Sequence, residues 1–206
     1  LDSHYSVKNE PISSLLVYWL LVLIKIMPIF AVWIRLRWTN KFIAVEIIEI
    51  YSSYIYSIQY DGQEDNEFDR LFSDWMDVER ISDFMERNKE YLKASVWAKV
   101  PEPESATRQV LNEAEDLESL FDELAVNTQN GNKPDFDSHF HYLEGKYKYE
   151  LQYQPMKSYS NGHPALLRIY AIKMDKNTYL ITGGGIKLAD TIQNSPDLKE
   201  HVLQNI

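Results

Sequence analysis

The chain has 206 residues, of which 45% are hydrophobic and 13% are aromatic, and its formal net charge is -10 at pH 7. This hydrophobic content excludes a largely disordered chain, and the length suits one core of ordinary size with an appendage. The absence of cysteine excludes disulfides, thiolate nucleophiles and cysteine metal sites, so a reducing cytoplasm is the simplest location.

The charge is unevenly distributed along the chain. Positions 61–126 hold 19 acidic and 7 basic residues, a net charge of -12, whereas positions 127–206 hold 8 acidic and 9 basic residues. Affinity for nucleic acid depends on lysine and arginine displacing counterions from phosphates. Any nucleic-acid surface is therefore expected on the C-terminal part of the chain.

Residues 15–34 form a stretch of 20 residues that is apolar except for Lys25 and is interrupted by Pro28. This length suits a membrane span. Three interpretations stay open, namely an upstream extension with an incorrect start, an inner-membrane anchor, and a buried helix. We treat residues 1–45 as an extension and residues 46–206 as the domain, which we expect to fold alone because its periodic patterns begin there.

The next segment predicts strands followed by helices. Positions 46–60 are rich in isoleucine and tyrosine that alternate, which is typical of one strand or two short ones. Asp61 and Gly62 indicate a turn, and Asn66 or Asp65 can cap a helix that starts near Glu67. Its apolar positions share one face, and the pattern continues to about position 91 with a break near Asp77.

The clearest helix of the sequence begins at about Ser105. Its apolar residues recur at helical spacing and are expected to pack inward, namely Ala106, Val110, Ala114, Leu117, Phe121 and Leu124. The remaining acidic residues are expected on a solvated face or on a docking face for a basic partner, namely Glu113, Glu115, Asp116, Glu118, Asp122 and Glu123.

The C-terminal part predicts an antiparallel sheet. Four short β-type runs cover positions 136–143, 146–154, 165–173 and 178–183, with a hairpin connection at 175–177 and short helices after position 188. The glycines at 183–185 indicate a bend at the end of the last strand. His139 and His141 would point the same way from a strand, but no third metal ligand accompanies them.

One set of residues could carry chemistry, and it lies on the last hairpin. Arg168, Tyr170, Lys173, Lys176 and Tyr179 lie there, and Lys187 follows the glycines. Arg168 and Tyr170 are expected to share one face of their strand. Cleavage of RNA by a 2′-hydroxyl needs a base, an acid and cations around the phosphorus, which such residues supply. Ordinary solvated charges on a hairpin are the alternative.

The same hairpin carries a family resemblance. Positions 167–173 read LRIYAIK, and positions 179–187 read YLITGGGIK. This ending resembles that of RelE/HigB-like toxins of bacterial type II toxin–antitoxin systems, in particular a Bacteroidetes-type branch. In that branch a helix containing tryptophan and an EAxxLE helix come first, and the matches here are Trp75 and positions 113–118.

The resemblance implies an α+β fold with N-terminal helices packed on a small antiparallel sheet, as in RelE, and with short C-terminal helices. It also implies an antitoxin partner and ribosome-dependent cleavage of mRNA without metal or cofactor. Arg168, Lys173 and Lys187 correspond to the basic positions of the family, and Tyr170 and Tyr179 are expected to stack or to transfer protons. The alternative function is that of a non-catalytic interaction or regulatory protein whose acidic helices bind a basic protein.

Overall fold

The structure is a computed structural model that describes residues 34–38, 41–93, 102–142, 154–160, 165–189 and 194–198. The strands of this part are β1 (Ile34–Trp38), β2 (Lys41–Tyr51), β3 (Ile55–Tyr60), β4 (His141–Tyr142), β5 (Gln154–Ser158), β6 (Leu167–Asp175) and β7 (Thr178–Ile186). The helices are α1 (Glu67–Met76), α2 (Val78–Arg87), α3 (Lys89–Leu92), α4 (Pro103–Gln129) and α5 (Phe136–His139). The strands form one sheet in the order β1-β2-β3-β7-β6-β5-β4.

One parallel pairing joins two antiparallel parts of this sheet. β3 runs parallel to β7, with Ile55 opposite Tyr179 and Ser57 opposite Ile181, whereas every other neighbouring pair is antiparallel. A parallel pairing needs a long crossover connection. Here the five described helices and the strands β4 to β6 form this connection, so the third and the last strands meet near the middle of the sheet.

Local side chains account for where the first helices start and stop. The Asn66 side chain accepts the backbone N–H groups of Phe68 and Asp69 at the start of α1. Asp77 ends α1 and caps α2 by accepting the Arg80 N–H at 3.0 Å. Each cap satisfies donors that a helix start leaves without a partner. The predicted start near Glu67 and the predicted break near Asp77 are confirmed.

The helix α4 spans 27 residues, and its inward face is the one expected. Its apolar stripe is fully buried, with 0% exposure for Ala106, Val110, Ala114, Leu117, Phe121 and Leu124. The ring of Phe121 packs against Phe68, Phe136 and Phe140 at centroid distances of 5.6 to 6.0 Å. These rings connect α4 with α1 and α5 in the main core.

The sheet has two faces of different character, because successive strand residues point to opposite sides. The helix-covered face includes Ile55, Ile169 and Ile181, which belong to the main core. The outer face includes a smaller buried cluster of Val45, Ile58 and Leu180. β2 begins before position 46 and thus crosses the boundary that the sequence placed between the extension and the domain.

Gly184 lets α1 approach the sheet closely. A Cβ atom at this position would overlap the Arg168 carbonyl oxygen and lie 2.8 Å from Leu71 Cδ1 of α1. β7 continues through the glycines at 183–185 to Ile186. These glycines therefore lie within a strand, where the absence of a side chain lets neighbouring elements pack closely.

The expected RelE-like arrangement is wrong, although the chain does have an α+β fold. Strands β2 and β3 precede the helices, and the sheet is mixed because β3 pairs in parallel with β7. Alternating residues indicate a strand but carry no information about its partner, which is why the crossover was missed.

The predicted strand over positions 136–143 is also wrong in its first half, which forms α5. Asp135 caps this short helix in a capping box with Ser138, and only His141 and Tyr142 pair with β5. The run predicted at 146–154 lies outside the described residues except for position 154.

The apolar stretch at 15–34 lies almost entirely outside the described residues as well. In the ranges given above, no helix is both long enough and apolar enough to span a membrane.

Loss of the Phe121 ring should destabilise the protein strongly. Phe121→Ala removes a fully buried ring from the junction of three helices, and we expect the free energy of unfolding to fall by about 3 to 5 kcal/mol. The matched control is Val126→Ala on the same helix, where the side chain is 58% exposed and the change should stay within about 0.5 kcal/mol. Urea denaturation of both variants measures this, and equal stability of the two would contradict the packing of α4.

Candidate functional site

The structure separates the residues that the sequence grouped into one site. Arg168 and Tyr170 lie on the outer face of β6, as their predicted common face requires, whereas Lys173 and Tyr179 meet Asp137 on the helix-covered face. Positions 168 and 173 of one strand differ by an odd number, so their side chains point to opposite faces. Lys187 follows β7, and its backbone N–H donates to the Leu166 carbonyl oxygen at 2.7 Å. The five residues therefore do not form one cluster.

The helix-covered group is centred on the carboxylate of Asp137. Its Oδ1 atom accepts hydrogen bonds from Lys173 Nζ at 2.7 Å, from the Tyr179 hydroxyl at 2.8 Å and from the Asn177 N–H at 2.9 Å. Burial acts to raise the pKa of Asp137, but these donors outweigh it and lower the pKa below its ordinary value. The carboxylate thus fastens α5 to the hairpin between β6 and β7.

Tyr179 belongs to this structural connection. Its side chain is 0% exposed and stacks on Phe140 with ring centroids 4.1 Å apart. Burial and the neighbouring Asp137 raise the pKa of its hydroxyl far above the ordinary value. A substrate cannot touch this side chain in the described conformation, and the hydroxyl keeps its proton at neutral pH.

The outer face holds a second group, which we call the cationic aromatic cluster: His141, Lys157, Tyr159, Arg168 and Tyr170. The register of the strands brings its members together. Lys157 of β5 lies opposite Tyr170 of β6 and opposite His141 of β4. Three adjacent strands therefore contribute to one patch near an edge of the sheet.

Tyr159 is the centre of the cluster. The guanidinium carbon of Arg168 lies 4.8 Å from the centroid of the Tyr159 ring, within the range of a cation–π contact. The exposed imidazole of His141 stacks on the same ring, with centroids 5.1 Å apart and an interplanar angle of 24°. The Arg168 cation and the rings of Tyr159 and His141 thus lie beside one another on the outer face of the sheet.

The positive charges of the cluster influence each other. Burial lowers the pKa of Arg168, and burial followed by the charge of Arg168 lowers the pKa of Lys157. Burial raises the pKa of Tyr170 to about 12, so its hydroxyl remains protonated at neutral pH. Two cations beside stacked rings can bind a phosphate and a base, which is the chemistry this arrangement offers.

Glu113 positions the start of β6, and the sequence analysis missed this role. Its carboxylate is buried and accepts the backbone N–H groups of Leu166 and Leu167 at 2.8 to 3.0 Å. Arg168 follows directly and makes hydrogen bonds to the carbonyl oxygens of Ala165 and Leu167. The prediction of a solvated Glu113 is therefore wrong.

A signal for this role was present in the sequence. Position 113 lies three residues after Val110 and four before Leu117, at the edge of the buried stripe of α4. Glu113 was predicted to be exposed because glutamate is charged, although its spacing along α4 favours burial.

The two close histidines occupy different environments. His139 ends α5 and is buried, with its Nε2 atom 2.5 Å from the Ser158 hydroxyl oxygen. His141 lies on β4 in the cationic aromatic cluster, so the predicted common orientation from one strand is wrong. Among residues 34–38, 41–93, 102–142, 154–160, 165–189 and 194–198, no group of three or more potential ligands is placed to hold a metal ion.

His139 should make stability depend on pH. Burial lowers the pKa of His139 from 6.5 to about 4, whereas the unfolded chain binds the proton near pH 6.5. The unfolded state therefore takes up a proton first as the pH falls, and stability present above pH 6.5 is lost progressively down to about pH 4. The loss from this group amounts to about 3 kcal/mol at 1.36 kcal/mol per pKa unit.

The variant His139→Gln tests this dependence, because it retains a polar partner for Ser158 and lacks the titration. Chemical denaturation at several pH values should show a shallower decline between pH 6.5 and 4 than in the wild type. The same decline in both proteins would contradict the burial of a neutral imidazole.

Comparison with protein-family models, with curated proteins and with solved structures finds no match to this chain. The resemblance to RelE/HigB-like toxins is not tested by these comparisons and stays a prediction, as do the catalytic roles of Arg168, Tyr170, Lys173, Tyr179 and Lys187.

Proposed function

We propose that the protein binds single-stranded RNA at the cationic aromatic cluster. The observation that carries this proposal is the packing of both Arg168 and His141 on the ring of Tyr159, with Lys157 beside them. Proteins bind single strands with aromatic side chains on which bases stack and with cations that lie along the phosphates. The cluster offers both kinds of group on one face of the sheet.

The position of the acidic residues supports this choice of surface. Exposed carboxylates of α4, such as Glu115, Asp116 and Glu118, belong to a helix that packs on the opposite face of the sheet. The main core and the sheet therefore lie between these carboxylates and the outer face. Phosphates that approach the outer face thus meet the cations of the cluster with little repulsion from α4.

Cleavage of the bound RNA is the toxin-type prediction, and the cluster has groups suited to it. In such a reaction the ribose 2′-oxygen attacks the adjacent phosphorus, the bond to the 5′-oxygen breaks, and a 2′,3′-cyclic phosphate forms. His141 would take the proton of the 2′-hydroxyl, and Tyr170 would protonate the leaving 5′-oxygen. Arg168 and Lys157 would stabilise the charge that gathers on the phosphate oxygens.

The partners of this reaction rest on other arguments. An antitoxin and a dependence on the ribosome follow from the family resemblance alone. The cytoplasmic location follows from the cysteine-free composition. All three stay predictions.

One observation favours the alternative, a non-catalytic interaction protein with a basic partner. The Tyr51 hydroxyl donates to Asp122 at 2.7 Å, and burial, then Asp122, then Glu118 and Asp69, raise the pKa of that hydroxyl. Three carboxylates from α1 and α4 thus lie around one tyrosine. Neither Glu118 nor Asp69 makes an ion pair with any described residue, so this acidic surface is the second candidate.

The proposal is tested by measuring binding of the full chain to a fluorescently labelled single-stranded RNA of mixed sequence. We expect saturable binding that weakens with salt and that exceeds binding to duplex DNA. Lys157→Gln should lower the affinity several-fold and reduce the slope of log K against log salt by about 0.7, as expected when one phosphate contact is lost. The matched control is Lys176→Gln at the exposed hairpin tip, which should bind as the wild type does.

The same samples separate binding from cleavage. Gel analysis of the RNA, with and without ribosomes, should show shortened products that end in a cyclic phosphate if the toxin-type prediction is correct. Bound but intact RNA under both conditions would contradict the cleavage activity and would still support RNA binding. Absence of binding would overturn the proposal and favour the acidic-surface alternative.

A further inference from the structure

A cleft lies on the helix-covered side of the protein, away from the cationic aromatic cluster. It has a volume of about 280 Å³ and lies between α1, α2, the glycines near the end of β7 and the segment at 196–198. The charged side chains that line it are Arg70, Arg80, Arg87, Asp74 and Asp197. This volume is just below the range of about 300 to 1,000 Å³ that is typical of small-molecule sites.

Three arginines line this cleft, and they differ in how fully they are paired. Arg70 makes two hydrogen bonds to Glu67, at 2.7 and 3.0 Å, and a third to Asp74 at 2.7 Å. Its guanidinium is therefore engaged on all three nitrogens. Arg70 thus serves to hold the acidic neighbours of the cleft in place.

Arg80 and Arg87 use fewer of their N–H donors in the described contacts than Arg70 does. Arg80 contacts Asp74 through Nη1, and Arg87 donates from Nε to the Asp83 carbonyl oxygen at 3.2 Å. Burial lowers the pKa of Arg80, Asp197 acts to raise it, and the positive charge of Arg70 lowers it further. An anion that contacts both guanidinium groups would accept hydrogen bonds from their remaining N–H donors.

The charge balance of the cleft indicates how much negative charge it accepts. Three arginines and two aspartates, Asp74 and Asp197, line the cleft, and Glu67 already neutralises Arg70. Asp197 is held in place because its Oδ2 atom accepts the Ile186 N–H at 2.6 Å. Arg80 and Arg87 are balanced in charge by the two aspartates, so a bound monoanion adds one excess negative charge and a dianion would add two.

The walls of the cleft indicate the rest of the ligand. Phe84 and Pro196 line it and are partly exposed, so each offers apolar surface to a bound molecule. Trp75 and Ile81 complete the apolar wall behind them. The floor carries no side chain at Gly185, where a Cβ atom would overlap Asp197 Oδ2. Most of the exposed lining is polar, and Phe84 and Pro196 offer one small flat ligand apolar contact beside the two arginines.

From these features we infer that the cleft binds a small monocarboxylate with a flat apolar body, held by Arg80 and Arg87. This site is separate from the proposed RNA surface and does not depend on it. The pairing of a guanidinium with a carboxylate provides the specificity, since Arg presents two parallel donors to two oxygens.

Benzoate is the probe, and benzamide is the neutral probe of the same shape. Titration of the full chain, followed by NMR of the tryptophan indole and arginine Nε signals, should show saturable shifts with benzoate and at least 10-fold weaker binding of benzamide. Arg87→Gln should weaken benzoate binding about 10-fold or more, as expected for loss of a hydrogen bond to a charged group. This residue is exposed and its substitution leaves the ion pairs of Arg70 and Arg80 intact.

Two further variants make the test specific. Arg108→Gln on α4 is the matched control, because this exposed arginine pairs only loosely with Glu104, at 3.4 Å, and lies outside the cleft. It should bind benzoate as the wild type does. Asp197→Asn keeps an acceptor for the Ile186 N–H and removes one negative charge, so it should strengthen benzoate binding several-fold. Equal binding of benzoate and benzamide, or wild-type affinity in Arg87→Gln, would overturn the inference.

Discussion

The parallel pairing of β3 with β7 is the constraint on which the rest of the described structure depends. Ser57 and Ile181 lie opposite each other although they are 124 positions apart in the chain. The Tyr179 N–H also donates to the Tyr54 carbonyl oxygen at 2.8 Å, just beyond the paired residues. This contact joins the N-terminal hairpin to the C-terminal one and creates a sheet wide enough to receive α1 and α4. The antiparallel part on the β7 side of this pairing carries the cationic aromatic cluster.

Buried and half-buried carboxylates also hold strands and turns of this fold in position. Glu113 holds the start of β6, Asp137 holds the hairpin between β6 and β7, and Asp197 holds the end of β7, each by accepting a backbone N–H from another element. Hydrogen bonds with an ionised acceptor are about twice as strong as neutral ones. The large acidic content of this chain is therefore partly structural, in addition to the exposed charge on α4.

Local features of the fold were predictable from the sequence, because they depend on neighbouring residues. The stripe of α4 follows helical spacing, Asn66 and Asp77 are strong capping residues, and the turn before Thr178 places Asn177 at a φ of 56°, which asparagine tolerates. The parallel pairing was not predictable, because nothing in an alternating strand identifies its partner.

The candidate site was predicted only in part, again for physical reasons. Arg168 and Tyr170 were placed correctly on one face, and Lys173 was grouped with them although the period of a strand excludes it. Tyr159, Lys157 and His141 were missed because they reach Arg168 through strand register, which the sequence does not show. The arginine-lined cleft was missed because it combines residues 70–88 with residues 184–197.

The bonding of Glu113 has a consequence for how this protein tolerates change over evolutionary time. Oε2 accepts the N–H groups of Leu166 and Leu167, and Oε1 accepts the Leu166 N–H and the Gln109 side chain at 2.6 Å. Aspartate is shorter by one methylene and glutamine offers one acceptor oxygen in place of two. Homologous chains that keep this sheet should therefore retain glutamate at position 113, while the exposed acids at 115 and 116 exchange freely with other polar residues. Glutamate at position 113 should therefore identify homologous chains with this fold more reliably than the glycines at 183–185.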